Sequence, residues 1–292
     1  MRYCRAVTTR VQQTDLDAWP EPLVRQVLDW ALAAGRRMPV LAVAGPQGSG
    51  KSTLARQLVV HARGRGLTAL ALSLDDFYLL RSERIRLARR LHPLLATRGP
   101  PGSHDVGLAL DVLDRLAGLA VGESLSVPRF DKGRDTRLPP SRWPQVTGPV
   151  ALIVFEGWCL AAEPQRDIDL VEPINALERE QDPDGRWRRY CNQALAGYRP
   201  LWRRFDRLLY LRPPGFEVVL EWRWQQEQAL HARGAPRAMT RADVERFVHA
   251  FERISRAMMD TLPGRADLTL TLDAQRLPIA QSGPAVLSSR AE

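Results

Sequence analysis

The chain has 292 residues, of which 45% are hydrophobic and 26% charged, with a formal net charge of +9. That length suits one large α/β domain or two small ones, and the composition supplies a sizeable core and excludes wholesale disorder. No apolar run is long enough to cross a bilayer, and the basic start Met1-Arg2-Tyr3-Cys4-Arg5 continues without an apolar stretch, so no secretory signal is expected. The scattered cysteines Cys4, Cys159 and Cys191 fit neither a disulfide framework nor a zinc site, and a cytoplasmic location is expected. The positive charge suits anionic ligands. Without an aromatic RNA-binding pattern, a zinc finger or a dense basic tail, no specific nucleic-acid partner is expected.

In chain order, residues 1–37 read as a helical lead-in, with Leu23, Val24, Val27, Leu28, Trp30 and Ala31 at mostly helical spacing after Pro20 and Pro22. Met38 to Ala44 is a short apolar run ending in a glycine loop, the pattern of a buried parallel strand. Ser52 to Arg63 has a helical period and stops near Gly64 and Gly66, and Leu67 to Leu74 is a second apolar strand closing on Asp75-Asp76. Strand, loop, helix and strand make a βαβ unit with an expected right-handed crossover.

The pattern breaks over residues 77–148, which carry a Gly/Pro turn at Arg98 to Gly102, a helix from about Asp105 to Leu119 and an irregular segment from Pro128 to Pro144. An insertion of that length between core strands is expected to bind substrate. Val150 to Phe155 reads as a third strand closing on Glu156-Gly157, 175–204 as helical around a turn at Asp182, and Asp206 to Leu211 as a fourth strand. Helices near 215–232 and 240–261 follow, then a fifth strand at Asp267 to Leu272 and, over 274–292, a tail expected to be loose. The fold class is α/β: one domain with a parallel β-sheet flanked by helices and an embedded insertion.

The motif that carries chemistry is Gly45-Pro46-Gln47-Gly48-Ser49-Gly50-Lys51-Ser52, a complete G-x-x-x-x-G-K-S that follows a strand and opens a helix. Its glycines let backbone N–H groups face an anion, and the following helix N-terminus adds partial positive charge. Gly45, Gln47, Gly48, Ser49, Gly50, Lys51, Ser52 and Thr53 are therefore the candidate ATP cradle, and the expected fold is a P-loop NTPase fold with a helical lid. Lys51 is expected to reach the β- and γ-phosphates, Ser52 to ligate Mg²⁺ and Thr53 to support the α-phosphate. Of 42 basic residues only Lys51 and Lys132 are lysine, so a compact point charge stands out in a chain that otherwise uses arginine.

Asp75 and Glu156 each end an apolar strand, and ligands bind beyond the carboxyl ends of parallel strands. Phosphoryl transfer to a hydroxyl needs one carboxylate at the hydroxyl proton and another on the magnesium side. Asp75 is assigned the first role and Glu156 the second, against the alternative that either only caps a helix.

Ser73-Leu74-Asp75-Asp76-Phe77-Tyr78 resembles the strand-end motif of uridine kinase, phosphoribulokinase and bacterial pantothenate kinase. Thr97 to Asp105, Val127 to Gly133, Phe155 to Cys159 and Trp222 to Glu227 resemble, in the same order, the plant-type D-glycerate 3-kinase family and its microbial relatives, over about residues 40 to 273. The resemblance implies ATP-dependent phosphorylation of a small hydroxy acid, D-glycerate being the named one. On that reading Arg98, Arg129 and Arg137 are candidates to bind a carboxylate. Tyr78, His104, Asp105 and Lys132 complete the substrate set, and Arg223 is a lid arginine over the phosphates, catalytic with Asp75 and Lys51.

Two other readings stay open. A nucleotide-dependent switch shares the P-loop, but neither lysine follows an asparagine, which excludes the Asn-Lys-x-Asp guanine reader. A nucleoside or pantothenate-like acceptor needs a larger, partly aromatic pocket than this arginine-bearing insertion offers.

Overall fold

A computed structural model describes residues 19–232, 239–284 and 287. Its first elements are helix α1 (Glu21–Leu32), strand β1 (Val40–Ala44), helix α2 (Lys51–Gly64), strand β2 (Ala69–Ser73) and helices α3 (Arg81–Arg90) and α4 (Val106–Gly118). Short strands β3 (Ser124–Ser126), β4 (Phe130–Asp131), β5 (Thr136–Arg137) and β6 (Gln145–Thr147) precede the long β7 (Leu152–Gly157). Helices α5 (Ala176–Gln181), α6 (Arg186–Ala196) and α7 (Arg199–Trp202) lead to β8 (Arg207–Arg212). The chain closes with α8 (Glu217–Ala232), α9 (Arg241–Thr261), β9 (Leu268–Leu272) and β10 (Pro278–Ser282).

The main sheet runs β10-β9-β8-β1-β7-β2 and is parallel except for the β10–β9 pair. Every residue of β1 and β7 is buried, as uninterrupted apolar runs such as Val40-Leu41-Ala42-Val43-Ala44 require when helices cover both faces. Alternation along β1 then splits the core. Leu41 and Val43 pack with α1 and α2, whereas Ala42 and Ala44 pack with α4 and α9. Truncating a fully buried member such as Leu58 to Ala should cost about 2–5 kcal/mol.

β2 does not pair with β1, because β7 lies between them, with Glu156 in register with Val43 on one side and Ser73 on the other. The glycine loop after β1, the end of β7 and the Asp75 turn after β2 therefore converge at one edge.

The lead-in is more than an approach: Val24, Val27, Leu28 and Ala31 are fully buried, and residues 1–18 lie outside the described set. The segment from Pro128 to Pro144, read as irregular, contributes a β4–β5 hairpin, and β6 just beyond it pairs with β3. Within the tail expected to be loose over 274–292, Pro278–Ser282 form β10, whose mostly exposed residues give no apolar alternation and whose proline sits at the first position of an edge strand. Residues 285, 286 and 288–292 lie outside the described set. No helix among the described residues is long and apolar enough to cross a membrane.

Candidate active site

The glycine loop is shaped by its neighbours as much as by its own sequence. Gly50 caps α2 in the left-handed region at φ 87, and Gly48 stands at φ 78, where a Cβ would meet the Trp222 Cβ of α8 at 2.5 Å. A side chain at Gly48 would thus push the loop off its packing surface, whatever its charge. Inside the loop, Lys51 Nζ donates to the Pro46 carbonyl at 2.7 Å and Ser49 Oγ donates to the same oxygen at 2.9 Å.

A cleft of about 450 Å³ opens beside this loop. It is lined by Gln47, Gly48, Lys51 and Ser52 from the loop, by Asp75, Tyr78, Arg98, Lys132 and Glu156, and by Arg223 and Gln226 from α8. Both lysines of the chain are among them. A larger depression of about 800 Å³ around Arg199, Trp202 and Arg265 gathers none of the motif residues, so chemistry rather than size marks the site.

Asp75 is gripped from two sides. Lys132 Nζ lies 2.8 Å from Oδ2, and the Tyr78 hydroxyl donates to Oδ1 at 2.8 Å. Burial pushes the Asp75 carboxyl up, but the Lys132 ammonium and the hydrogen bonds from Lys132 and Tyr78 outweigh it and hold the group below the ordinary carboxylate range. The same ion pair raises Lys132. Ser52 Oγ donates to Glu156 Oε1 at 3.0 Å. Burial raises Glu156 against the opposing Lys51 charge, and burial lowers Lys51 against the pull of Glu156 and Asp75. The site thus offers one carboxylate kept ionised, two ammonium groups and a hydroxyl–carboxylate pair of hard oxygens.

Other candidates from the sequence stand elsewhere. Arg129 ion-pairs with Asp76, Arg137 lies 3.3 Å from Asp105, and Asp105 caps α4 by accepting the Leu108 N–H at 3.0 Å. Local partners engage all three, and none lines the cleft. His104 is buried behind Tyr78, stacked on its ring at 4.5 Å, with Nδ1 2.7 Å from the Tyr198 hydroxyl. Desolvation holds it neutral, at about 4. Arg223 reaches the cleft, paired with Glu227 and with its guanidinium over the Phe247 ring at 5.4 Å. Thr53 lines a neighbouring depression of about 320 Å³ with Trp19 and Arg276.

No family model matches the chain. It is 32% identical over 252 residues to an uncharacterised kinase of Schizosaccharomyces pombe, across 82% of this chain and 90% of that protein. It is also 32% identical over 257 residues to the chloroplastic D-glycerate 3-kinase of Arabidopsis thaliana, across 82% of this chain and 54% of that longer protein. Among solved structures, the D-glycerate 3-kinase of Cryptococcus neoformans var. grubii matches with a TM-score of 0.76 at 25% identity, over 90% of this chain and 99% of that one. The chain belongs to the P-loop kinase family that includes plant D-glycerate 3-kinase. It is an ATP-dependent small-molecule kinase.

Several residues of the kinase site carried no signal in the sequence. Trp19 donates from its indole to the Gly50 carbonyl at 3.2 Å. Arg276, at φ 69, donates from Nε to the Gly48 carbonyl at 2.6 Å and from Nη2 to Gln225 Oε1 at 2.7 Å. Each is a single residue far in sequence from the loop it braces. Trp158, Phe247 and Phe251 add an aromatic wall from outside the insertion. Arg253, two residues after the cleft-lining Phe251, is instead buried against Glu178 at 2.6 Å and ties α9 to α5.

Proposed function

We propose that this kinase transfers the γ-phosphoryl group of ATP to the primary hydroxyl of D-glycerate, giving 3-phosphoglycerate. The observation that carries the reading is Asp75, held ionised between Lys132 and Tyr78 in a cationic cleft beside the P-loop. Asp75 accepts the proton of the attacking hydroxyl. Lys132 and Arg98 receive the acceptor carboxylate, and Lys51 and Arg223 stabilise charge on the transferring phosphoryl group. Residues 77–148 act as the acceptor lobe of a single kinase domain, with α8 as the lid. Tyr78 orients Asp75 through its hydroxyl, while His104, Asp105, Arg129 and Arg137 support the lobe from behind.

Ser52 and Glu156 suit Mg²⁺, which favours hard oxygen ligands and keeps company with nucleotide phosphates. The ion neutralises charge on the β- and γ-oxygens when bound. A small acid is favoured over a nucleoside because Trp158 and Phe251, 5% and 2% exposed, pack edge to face at 4.8 Å and close the wall instead of offering a stacking face. A cytoplasmic location agrees with the buried unpaired thiols of Cys159 and Cys191, and cell fractionation checks it.

The deciding experiment is a coupled ADP assay with purified protein and Mg-ATP against D-glycerate, nucleosides and pantothenate. D-glycerate should raise ADP release about tenfold or more over the acceptor-free rate, with 3-phosphoglycerate identified by NMR. Stimulation by a nucleoside or pantothenate in its place would overturn the acceptor assignment.

A further inference from the structure

The β4–β5 hairpin carries a residue that the kinase reading leaves without a role. Asp135, in its turn, stands at φ 54, in the left-handed region that side-chain-bearing residues seldom adopt and that Asp tolerates better than most. Such a conformation persists when its surroundings over-determine it, and around Asp135 they do. Arg84 is completely buried. Its Nη2 lies 2.9 Å from Asp135 Oδ1 and donates to the Asp135 carbonyl at 2.8 Å, while its other nitrogens donate to the Ala96 carbonyl at 2.7 Å and the Leu79 carbonyl at 3.3 Å. On the same carboxylate, Arg98 Nη1 donates to Oδ1 at 2.5 Å. Arg81 Nε approaches Oδ2 at 3.9 Å. Three guanidinium groups thus converge on one carboxylate, leaving cationic excess beside the cleft.

Three residues earlier in the same turn, Lys132 holds Asp75. One hairpin therefore sets two distances at once: Lys132 to the ionised carboxylate, and Arg98 to the cleft it lines. Arg98 is fixed a second way, its guanidinium lying 5.6 Å from the centroid of the Phe130 ring in β4. A long arginine tethered at one nitrogen and stacked on a ring loses much of its rotamer freedom before a ligand arrives, which lowers the entropic cost of receiving a bidentate anion.

We propose that Asp135 is a positioning residue that selects an anionic acceptor, clasping Arg98 to the buried Arg84 and fixing the turn that presents Lys132. The proposal rests on the hydroxy-acid reading of the acceptor. It makes the specificity of the site a property of a residue that touches neither ATP nor acceptor.

Asp135→Gly and Asp135→Asn both tolerate the left-handed backbone, so they remove the charge while leaving the turn geometry accessible. Each should raise the KM for D-glycerate about tenfold while the KM for ATP stays within about twofold, a split that general loss of structure would not produce. Arg98, released from its clasp, should also react several-fold faster with phenylglyoxal, read by peptide mass spectrometry without any acceptor present. An acceptor KM that stays constant or falls, or an ATP KM that rises in step with it, overturns the proposal. Unchanged Arg98 labelling overturns it as well. If the unsubstituted enzyme does not turn over D-glycerate, the acceptor reading fails by itself, and the labelling rate still decides whether Asp135 holds Arg98.

Discussion

Lys51 and Lys132 face the same cleft from regions built on different principles. Lys51 opens α2, is 8% exposed and donates to the Pro46 carbonyl within a continuous loop. Lys132 rides a hairpin of two short strands, has a side chain 65% exposed and is held by Asp75, more than fifty residues away in sequence. The side proposed to hold the nucleotide is local and glycine-shaped, because a phosphate chain demands backbone N–H groups at fixed positions. The side proposed to hold the acceptor is an assembly of distant side chains paired with one another. A scaffold of this kind can keep its ATP chemistry while its acceptor preference drifts.

The sharpest way to break the contrast is to disable one side and read the other. Asp75→Asn should lower kcat about 10²–10⁴-fold, the range for a lost proton acceptor, while ATP affinity by calorimetry stays within a few-fold. If ATP binding were lost together with turnover, Asp75 would belong to the nucleotide side. Lys51→Met should lower kcat roughly 10²–10³-fold and weaken ATP binding with it, leaving acceptor affinity nearly intact.

The same contrast explains what the sequence made legible. The P-loop motif could be read because its chemistry is contiguous, and Asp75 and Glu156 because parallel strands deliver their carboxyl ends to one edge. The fold class followed from the fully buried runs of β1 and β7. The arginines proposed for the acceptor could not be sorted. Whether one of 40 arginines reaches the cleft depends on where its partner stands, and Asp76 holds Arg129 while Asp105 holds Arg137 outside it. Arg98 is held too, by Asp135, yet still lines the cleft. Composition carries no trace of those pairings, nor of Trp19 and Arg276 bracing the P-loop from opposite ends of the chain.

Lys132→Gln sharpens the acceptor side. Losing a charged hydrogen-bonding group should raise the acceptor KM about tenfold or more. It should also move the acid limb of the kcat profile. Lys132 is the main influence holding Asp75 down, and burial, which raises it, would then act with less opposition. The carboxylate would protonate at higher pH, so the limb shifts upward. A limb that stayed in place would mean that another group, such as the raised Glu156, sets it.

The smallest effect concerns stability and tests how deep the acceptor side reaches. His104 stands behind Tyr78 with its folded value depressed to about 4 from the ordinary 6.5, because burial disfavours the imidazolium. Between those values the unfolded chain binds a proton that the folded one refuses, so stability is full above about pH 6.5 and falls as pH drops towards 4. At pH 5 the loss from this one group is about 2 kcal/mol by linkage. Urea unfolding at pH 7 and pH 5 should show that loss, and His104→Gln, neutral throughout, should remove that part of the slope even if it lowers stability at both pH values. The Arg98 labelling rate should not change with His104→Gln, because Asp135 and Phe130 hold that arginine independently of the imidazole. If Arg98 labelled faster as well, the layer behind Tyr78 and the hairpin clasp would form one cooperative unit, and the acceptor side would be less modular than its pairings indicate.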